Sequence, residues 1–135
     1  MTDLTTGAFA KKFKGESSAG WLSVSKRNSD AYIADELCGY PFTCNGYRNL
    51  FMLMKNTFDS RLYKAGNKSL PIYFIAGGND PVIVSKKAWL DSQEFLRKVG
   101  YTDVRYSLYD GFRHEFAFED DPTPFFEDIV RFIEE

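Results

Sequence analysis

Apolar and polar positions in the second half of the chain change their spacing in a regular order. Leu70 to Ala76 is an unbroken apolar run of strand length, and residues 85–99 then carry apolar side chains at helical spacing. Residues 104–109 alternate between apolar and polar side chains, and an apolar helical stripe follows Pro124. These spacings predict strand, helix, strand and helix, in that order.

The order of these elements predicts an α/β fold with a parallel pair of strands. A helix between two strands returns the chain to the same end of the sheet through a right-handed crossover. We expect residues 70–76 to form an interior strand covered by helices on both faces, and residues 104–109 to lie nearer the sheet edge. Open parallel sheets bind ligands beyond the carboxyl ends of their strands. The loops 77–80 and 110–114 are therefore predicted to share one rim.

Helical spacing also recurs in the first half of the chain. It predicts a core-facing helix that starts near Gly46 and ends before Gly66, with these apolar positions: Tyr47, Leu50, Phe51, Met54, Phe58 and Leu62. A shorter helical run over residues 30–37 is ended by Gly39 and Pro41. The polar stretch through Gly20 predicts a loosely ordered leading segment, with one helical turn over residues 7–13.

Composition narrows the class of protein. With 135 residues, 44% hydrophobic and 27% charged, the chain has the balance of one globular domain with a core of its own. A net charge of −2, spread along the sequence, argues against nucleic acid or an anionic membrane surface as a partner. No apolar run approaches the roughly 20 residues of a transmembrane helix, and residues 1–14 lack a secretory leader. We expect a cytoplasmic protein without a transmembrane segment.

The two cysteines and the histidine limit the kinds of site that this chain can form. Cys38 and Cys44 lie six positions apart, without the pairing or histidine neighbours that metal and redox sites need. His114 is the single histidine, so no metal site and no cofactor are expected. It is also the one side chain with an ordinary pKa near neutrality, which makes it the first candidate for acid–base catalysis.

Asp80 and His114 are predicted to lie close together. If the two strands are neighbours, about 4.8 Å apart, their loops can bring the carboxylate to the imidazole. Such a carboxylate would orient the imidazole so that its other nitrogen can move a proton. The alternative stays open on spacing alone, because aspartate before proline is a common turn former and a loop histidine is often only solvated.

Two motifs resemble those of the α/β-hydrolases. Residues 72–82, Ile-Tyr-Phe-Ile-Ala-Gly-Gly-Asn-Asp-Pro-Val, resemble the strand and turn that carry the catalytic acid, and residues 109–115, Tyr-Asp-Gly-Phe-Arg-His-Glu, resemble the loop that carries the histidine. The likeness is to the serine aminopeptidase, monoacylglycerol lipase and lysophospholipase type. It implies that Asp80 and His114 are the acid and base of a Ser-His-Asp triad.

Upstream residues extend the resemblance to nearly the whole chain from Trp21. Residues 21–23, 30–43 and 47–50 look like the end of that family's helical cap and the helix after it. The resemblance implies a leading segment and cap remnant over residues 1–45, and the C-terminal portion of the α/β-hydrolase core over residues 46–135. In the family the cap covers the active site, which implies substrate-binding roles for Leu37, Tyr40 and Phe42. Plain packing between cap and sheet is the alternative for these three.

The family's nucleophile turn, Gly-x-Ser-x-Gly, has no counterpart. The nearest stretch, residues 15–19, follows three lysines where the family requires an apolar strand. The resemblance therefore implies a segment of a serine hydrolase of carboxylic esters that is inactive alone. Its substrate would be an acyl ester or lipid-like molecule, and it would self-associate or pair with an N-terminal half.

Two other functions compete with this one. The first is a non-catalytic binding or assembly module that retains the strand–helix–strand scaffold. The second is a nucleotide-binding domain, which is disfavoured because residues 77–81 lack both the glycine-rich phosphate fingerprint and the P-loop lysine.

Overall fold

The computed structural model describes residues 6–135 as an α/β arrangement, as predicted. Three short 3-10 helices, Ser60–Leu62, Pro81–Ile83 and Phe116–Phe118, join the larger elements. Within the described residues no helix is both long and apolar enough to span a bilayer. The helices and strands are, in chain order, α1 (Thr6–Ala10), α2 (Lys26–Ala34), α3 (Cys44–Thr57), β1 (Ile72–Gly77), α4 (Lys86–Lys98), β2 (Val104–Tyr109) and α5 (Thr123–Glu134).

The two strands pair in parallel, which confirms the predicted strand–helix–strand unit. Ile72 is opposite Val104 and Gly77 is opposite Tyr109, so the carboxyl ends of both strands lie together. The ladder begins after Pro71, which has no N–H to donate. Within residues 6–135 the other edge of β1 pairs with no strand, so the predicted interior position is not reached there.

Helix α4 connects the strands and packs on the sheet. The Ser85 hydroxyl accepts from the backbone N–H of Ala88 at 3.1 Å, which caps the first turn. Trp89 is buried and meets the Tyr106 ring edge-on at 5.4 Å. The boundaries match the predicted helix over residues 85–99 closely, because Ser85 and Gly100 limit it on either side.

Helix α3 departs from the prediction in length and in burial. Thr43 caps its first turn at Gly46, and the helix ends at Thr57 because the Asp59 carboxylate accepts from the N–H of Arg61 and starts a separate turn. Tyr47 is buried, but most of the predicted core face is exposed, including Met54 at 53%. The expectation of core-facing packing is therefore wrong for most of this face in the described residues. Phe58, just beyond the end of the helix, does meet the Phe95 ring of α4 edge-on at 5.5 Å.

The leading segment is better packed than its polar composition predicts. Ala19, Trp21 and Leu22 are buried together, against partly buried Phe9 and Phe13. Helix α2 starts at Lys26, four residues before the predicted run, and ends at Ala34. The expectation of a loosely ordered segment is therefore wrong near its end, because the aromatic rings of α1 and the following turn supply apolar contacts.

Candidate active site

Asp80 is fixed by the turn that leaves β1. One carboxylate oxygen, Oδ1, accepts from the backbone N–H of Val82 at 2.8 Å and caps the Pro81–Ile83 turn. The Asp80 side chain is only 6% exposed. Its second oxygen, Oδ2, is therefore held in one place and is available to a neighbour.

That neighbour is His114, in the loop that leaves β2. Its Nδ1 lies 3.0 Å from Asp80 Oδ2, and its side chain is 40% exposed. The structure thus brings the two predicted residues within hydrogen-bonding distance. With Nδ1 directed at the carboxylate, Nε2 is the nitrogen left to exchange a proton with another group.

The electrostatics of the pair favour the protonated imidazole. The hydrogen bond with Asp80 raises the pKa of His114 above its ordinary value of 6.5 and outweighs the burial that lowers it. The negative charges of Asp80 and Glu115 also raise this pKa. An imidazolium that forms when His114 takes a proton is therefore stabilised in place.

Glycine at position 77 allows the two loops to meet. The N–H groups of Gly78 and Asn79 donate to the carbonyl oxygens of Tyr109 and Phe112, at 2.7 and 2.9 Å. A Cβ atom on Gly77 would lie 2.5 Å from the Phe112 carbonyl oxygen and would also meet that of Arg113. The loop carrying His114 can cross the end of β1 only because this side chain is absent.

Trp21 lies against the imidazole. The two ring centroids are 5.2 Å apart and the planes are tilted by 36°. Trp21 is itself buried and also lines a cavity of about 230 Å³, together with Ala10, Tyr32 and Tyr40. One indole therefore contacts both His114 and this partly open cavity beside the leading segment.

Arg113 fastens the leading segment to the histidine loop. Its guanidinium donates to both carboxylate oxygens of Glu16, at 2.5 and 2.9 Å, and also to the Gly20 carbonyl. It lies 4.0 Å from the centroid of the Phe13 ring. These hydrogen bonds lower the pKa of Glu16 and place Trp21 in its position over His114.

The three predicted substrate residues are not gathered around the Asp80–His114 pair. Tyr40 lines the cavity beside Trp21, whereas Phe42 packs its ring on Tyr47 at 5.5 Å. Leu37 is 81% exposed. A substrate-binding role for these residues stays a prediction.

No serine within residues 6–135 hydrogen-bonds to the imidazole. Ser17, in the stretch that most resembles a nucleophile turn, follows helix α1 and a series of turns instead of a strand. The sharp strand-to-helix turn that exposes a nucleophilic serine is therefore not formed there. Among the same residues, no group of three or more His, Cys, Asp or Glu side chains is arranged to hold a metal ion.

Sequence reasoning missed the contacts that surround the pair. Trp21 was noticed only as part of a resemblance, and Arg113 only as part of a motif. Glu119 was not singled out, since it begins an acidic run, residues 119–121, that is typical of a solvated surface. Only the paired glycines after a strand gave a signal of close backbone approach.

Comparisons with known proteins agree with this fold. The family model of the serine aminopeptidases, S33, matches residues 4–121. Among solved structures, a highly thermostable carboxyl esterase from Bacillus coagulans, in complex with glycerol, matches with a TM-score of 0.78 at 23% identity. A lipase in its open form matches with a TM-score of 0.73, also at 23% identity. No curated protein matches the chain.

The matches cover nearly all of this chain but less than half of each of the two other proteins. Each covers 98% of this chain, but only 44% of the esterase and 43% of the lipase. At this identity the likeness shows the fold alone. The chain thus has the fold of slightly less than half of each protein.

Proposed function

Because the chain belongs to the serine aminopeptidase S33 family of α/β-hydrolases, we propose that it supplies the acid and the base of a serine hydrolase. Asp80 would be the acid and His114 the base of a Ser-His-Asp triad. The observation that carries the proposal is the distance of 3.0 Å between His114 Nδ1 and Asp80 Oδ2, on loops that leave adjacent parallel strands.

The proposed reaction is the hydrolysis of a carboxylic ester. His114 Nε2 would take the proton of a serine hydroxyl as the serine oxygen attacks the ester carbonyl, and would then give that proton to the departing alcohol. The same nitrogen would next take a proton from the water that attacks the acyl-serine, and would return it to the serine oxygen as the carboxylic acid leaves. Asp80 would hold the imidazole in the required tautomer and stabilise the imidazolium. The raised pKa of His114 supports this division of roles, since it reports the same stabilisation in the resting protein.

The nucleophile and the oxyanion hole would come from a partner segment that bears the strand and the Gly-x-Ser-x-Gly turn. The share of the two hydrolases that this chain covers, about 44%, supports that division. The edge of β1 that pairs with no strand within residues 6–135 supports it as well, because a parallel strand of the partner could continue the ladder there. We therefore expect the chain to be inactive alone.

The proposed substrates are lipid-like acyl esters, of the kind hydrolysed by lysophospholipases and monoacylglycerol lipases. The likeness to an esterase and a lipase supports an ester substrate. The exposed apolar side chains of Leu37, Tyr40 and Phe42 would contact the acyl chain. Of these, Tyr40 has the firmest support, since it shares a cavity with the tryptophan that lies on His114.

The proposal is tested with p-nitrophenyl butyrate. The purified chain alone should give no hydrolysis above buffer, and mixing it with a polypeptide that carries the strand and Gly-x-Ser-x-Gly turn should restore turnover. His114→Ala should remove the restored activity, by about 10³-fold or more. Glu127→Gln, an exposed position on α5, is the matched control and should leave it unchanged.

Three outcomes would contradict this proposal. Hydrolysis by the chain alone that is lost in His114→Ala would show that the nucleophile lies within it. Restored activity that survives His114→Ala would remove the catalytic role of His114. A stable complex without any hydrolysis would favour the non-catalytic assembly module.

A further inference from the structure

Glu119 is a buried carboxylate with an unusual number of donors. It lies just after the Phe116–Phe118 turn and is 3% exposed. Burial of a carboxylate is tolerated only where donors replace the lost water. Its four donors are the Ser23 hydroxyl at 2.6 Å and the backbone N–H groups of Val24, Ser25 and Arg113, at 3.0, 3.2 and 3.1 Å.

These donors come from two distant parts of the chain. Three belong to residues 23–25, nearly a hundred positions upstream, and the fourth is the backbone N–H of Arg113. Arg113 directly precedes His114. The carboxylate of Glu119 therefore ties the backbone next to the imidazole to a buried part of the leading segment.

Further hydrogen bonds follow the same path. The N–H of Glu115 donates to the Leu22 carbonyl at 2.7 Å, so the residue after His114 is also held by the leading segment. The Ser25 hydroxyl donates to Asp120 at 2.6 Å. His114 thus lies between two anchored neighbours, and Glu119 provides one of the two anchors.

We propose that Glu119 is a positioning residue for His114. By holding the N–H of Arg113, its carboxylate fixes the backbone from which the imidazole reaches Asp80. Without it, the loop over residues 110–114 moves more freely and the Asp80–His114 hydrogen bond is formed for a smaller share of the time. The catalytic consequence rests on the proposed function, but the positioning itself does not.

A titration of His114 tests the positioning directly. His114 is the single histidine, so its imidazole proton signals in an NMR titration report one site. The Asp80 hydrogen bond raises the pKa of His114, so Glu119→Gln should lower it toward the ordinary value of 6.5. Glu127→Gln removes the same charge from an exposed site and should leave it unchanged.

Making the same substitution in an Asp80→Asn protein separates an effect of geometry on the pKa of His114 from an effect of charge. The charged groups that act on His114 are Asp80 and Glu115, and loss of any nearby negative charge could also lower its pKa. Positioning requires the effect of Glu119→Gln to disappear when Asp80→Asn has already removed the partner. An equal fall in both backgrounds, or no fall in either, overturns the proposal.

Ser23→Ala keeps the test decisive if Glu119→Gln does not fold. It removes one donor to the carboxylate and retains every charge near His114. A smaller fall in the pKa, confined to the protein with Asp80, supports positioning, and an unchanged pKa overturns it. The titration uses no substrate, so the two proposals can fail separately. Absence of ester hydrolysis would not contradict the positioning role of Glu119, and an unchanged pKa of His114 would not contradict the proposed reaction.

Discussion

The rim formed by the loops after β1 and β2 differs sharply from helix α3. At the rim, Asp80 and Glu119 are buried and hydrogen-bonded to partners within the chain. On α3, the apolar side chains of Leu50, Phe51 and Met54 are exposed, although their spacing is that of a core helix. The polar residues of this protein are thus better enclosed at the rim than the apolar residues are on α3.

The difference shows which contacts the chain can complete by itself. The rim is built from a parallel unit of about 40 residues, so the strand ladder brings its parts together locally in the sequence. The α3 face needs a surface that no described element provides. The arrangement of Asp80 and His114 should therefore be insensitive to changes on α3.

The substitution expected to disturb the rim most adds one carbon atom at Gly77. In Gly77→Ala, the Cβ would lie 2.5 Å from the Phe112 carbonyl oxygen, and backbone atoms cannot move away as a flexible side chain could. We expect a loss of about 3 kcal/mol or more in the free energy of unfolding, measured with urea. The His114–Asp80 contact should be lost as well.

Gly66→Ala is the matched control for that change. Nothing lies within 4 Å of the position that its Cβ would take. The same substitution there should change the free energy of unfolding by about 0.5 kcal/mol or less. Equal losses for the two variants would mean that the close approach of the loops at Gly77 is not what holds the rim.

A smaller effect is expected when the rim keeps its backbone but loses one charge. Asp80→Asn removes the carboxylate that pairs with the imidazolium, and the chain should lose about 1.5 kcal/mol near pH 5.5. This is the lower end for a charged hydrogen bond, because His114 is partly exposed to solvent. Urea unfolding of both proteins at several pH values measures the loss.

The sign of the pH dependence follows from the direction of the shift. The folded-state pKa of His114 is raised above its ordinary value of 6.5. The stabilisation by the pair is therefore fully present below about 6.5 and is lost as the pH rises through the folded-state pKa. The difference in free energy of unfolding between the unchanged chain and Asp80→Asn should therefore narrow as the pH rises over that interval. A difference that widened with pH would contradict the contact between His114 and Asp80.

Much of the rim could be predicted from the sequence, because its determinants are local. The run from Leu70 to Ala76, the cap at Ser85 and the alternation over residues 104–109 each specify one element. Parallel pairing then places Asp80 near His114. Glu119 could not be predicted, since its four donors meet only after residues 23–25 have packed against the histidine loop.

The prediction that the apolar face of α3 packs in the core is wrong for a different physical reason. Apolar residues at helical spacing show which face of a helix is apolar, but they do not show what covers that face. Tyr47 is buried at the start of the helix because Phe42 packs against it. The later turns have the same pattern, yet Leu50 and Met54 are exposed, so the sequence pattern alone could not distinguish the two ends.

The smallest effect on folding is expected on α3, at Met54. Met54→Gln keeps a good helix former and should change the free energy of unfolding by about 0.5 kcal/mol or less, because this side chain is 53% exposed. The same variant should lower self-association in light scattering at high concentration, since an uncovered apolar face favours contact between copies. Tyr47→Ala, on the same helix but only 5% exposed, should cost about 3 kcal/mol. If Met54→Gln cost as much as Tyr47→Ala, the α3 face would be buried within the chain, and the contrast between the rim and this helix would disappear.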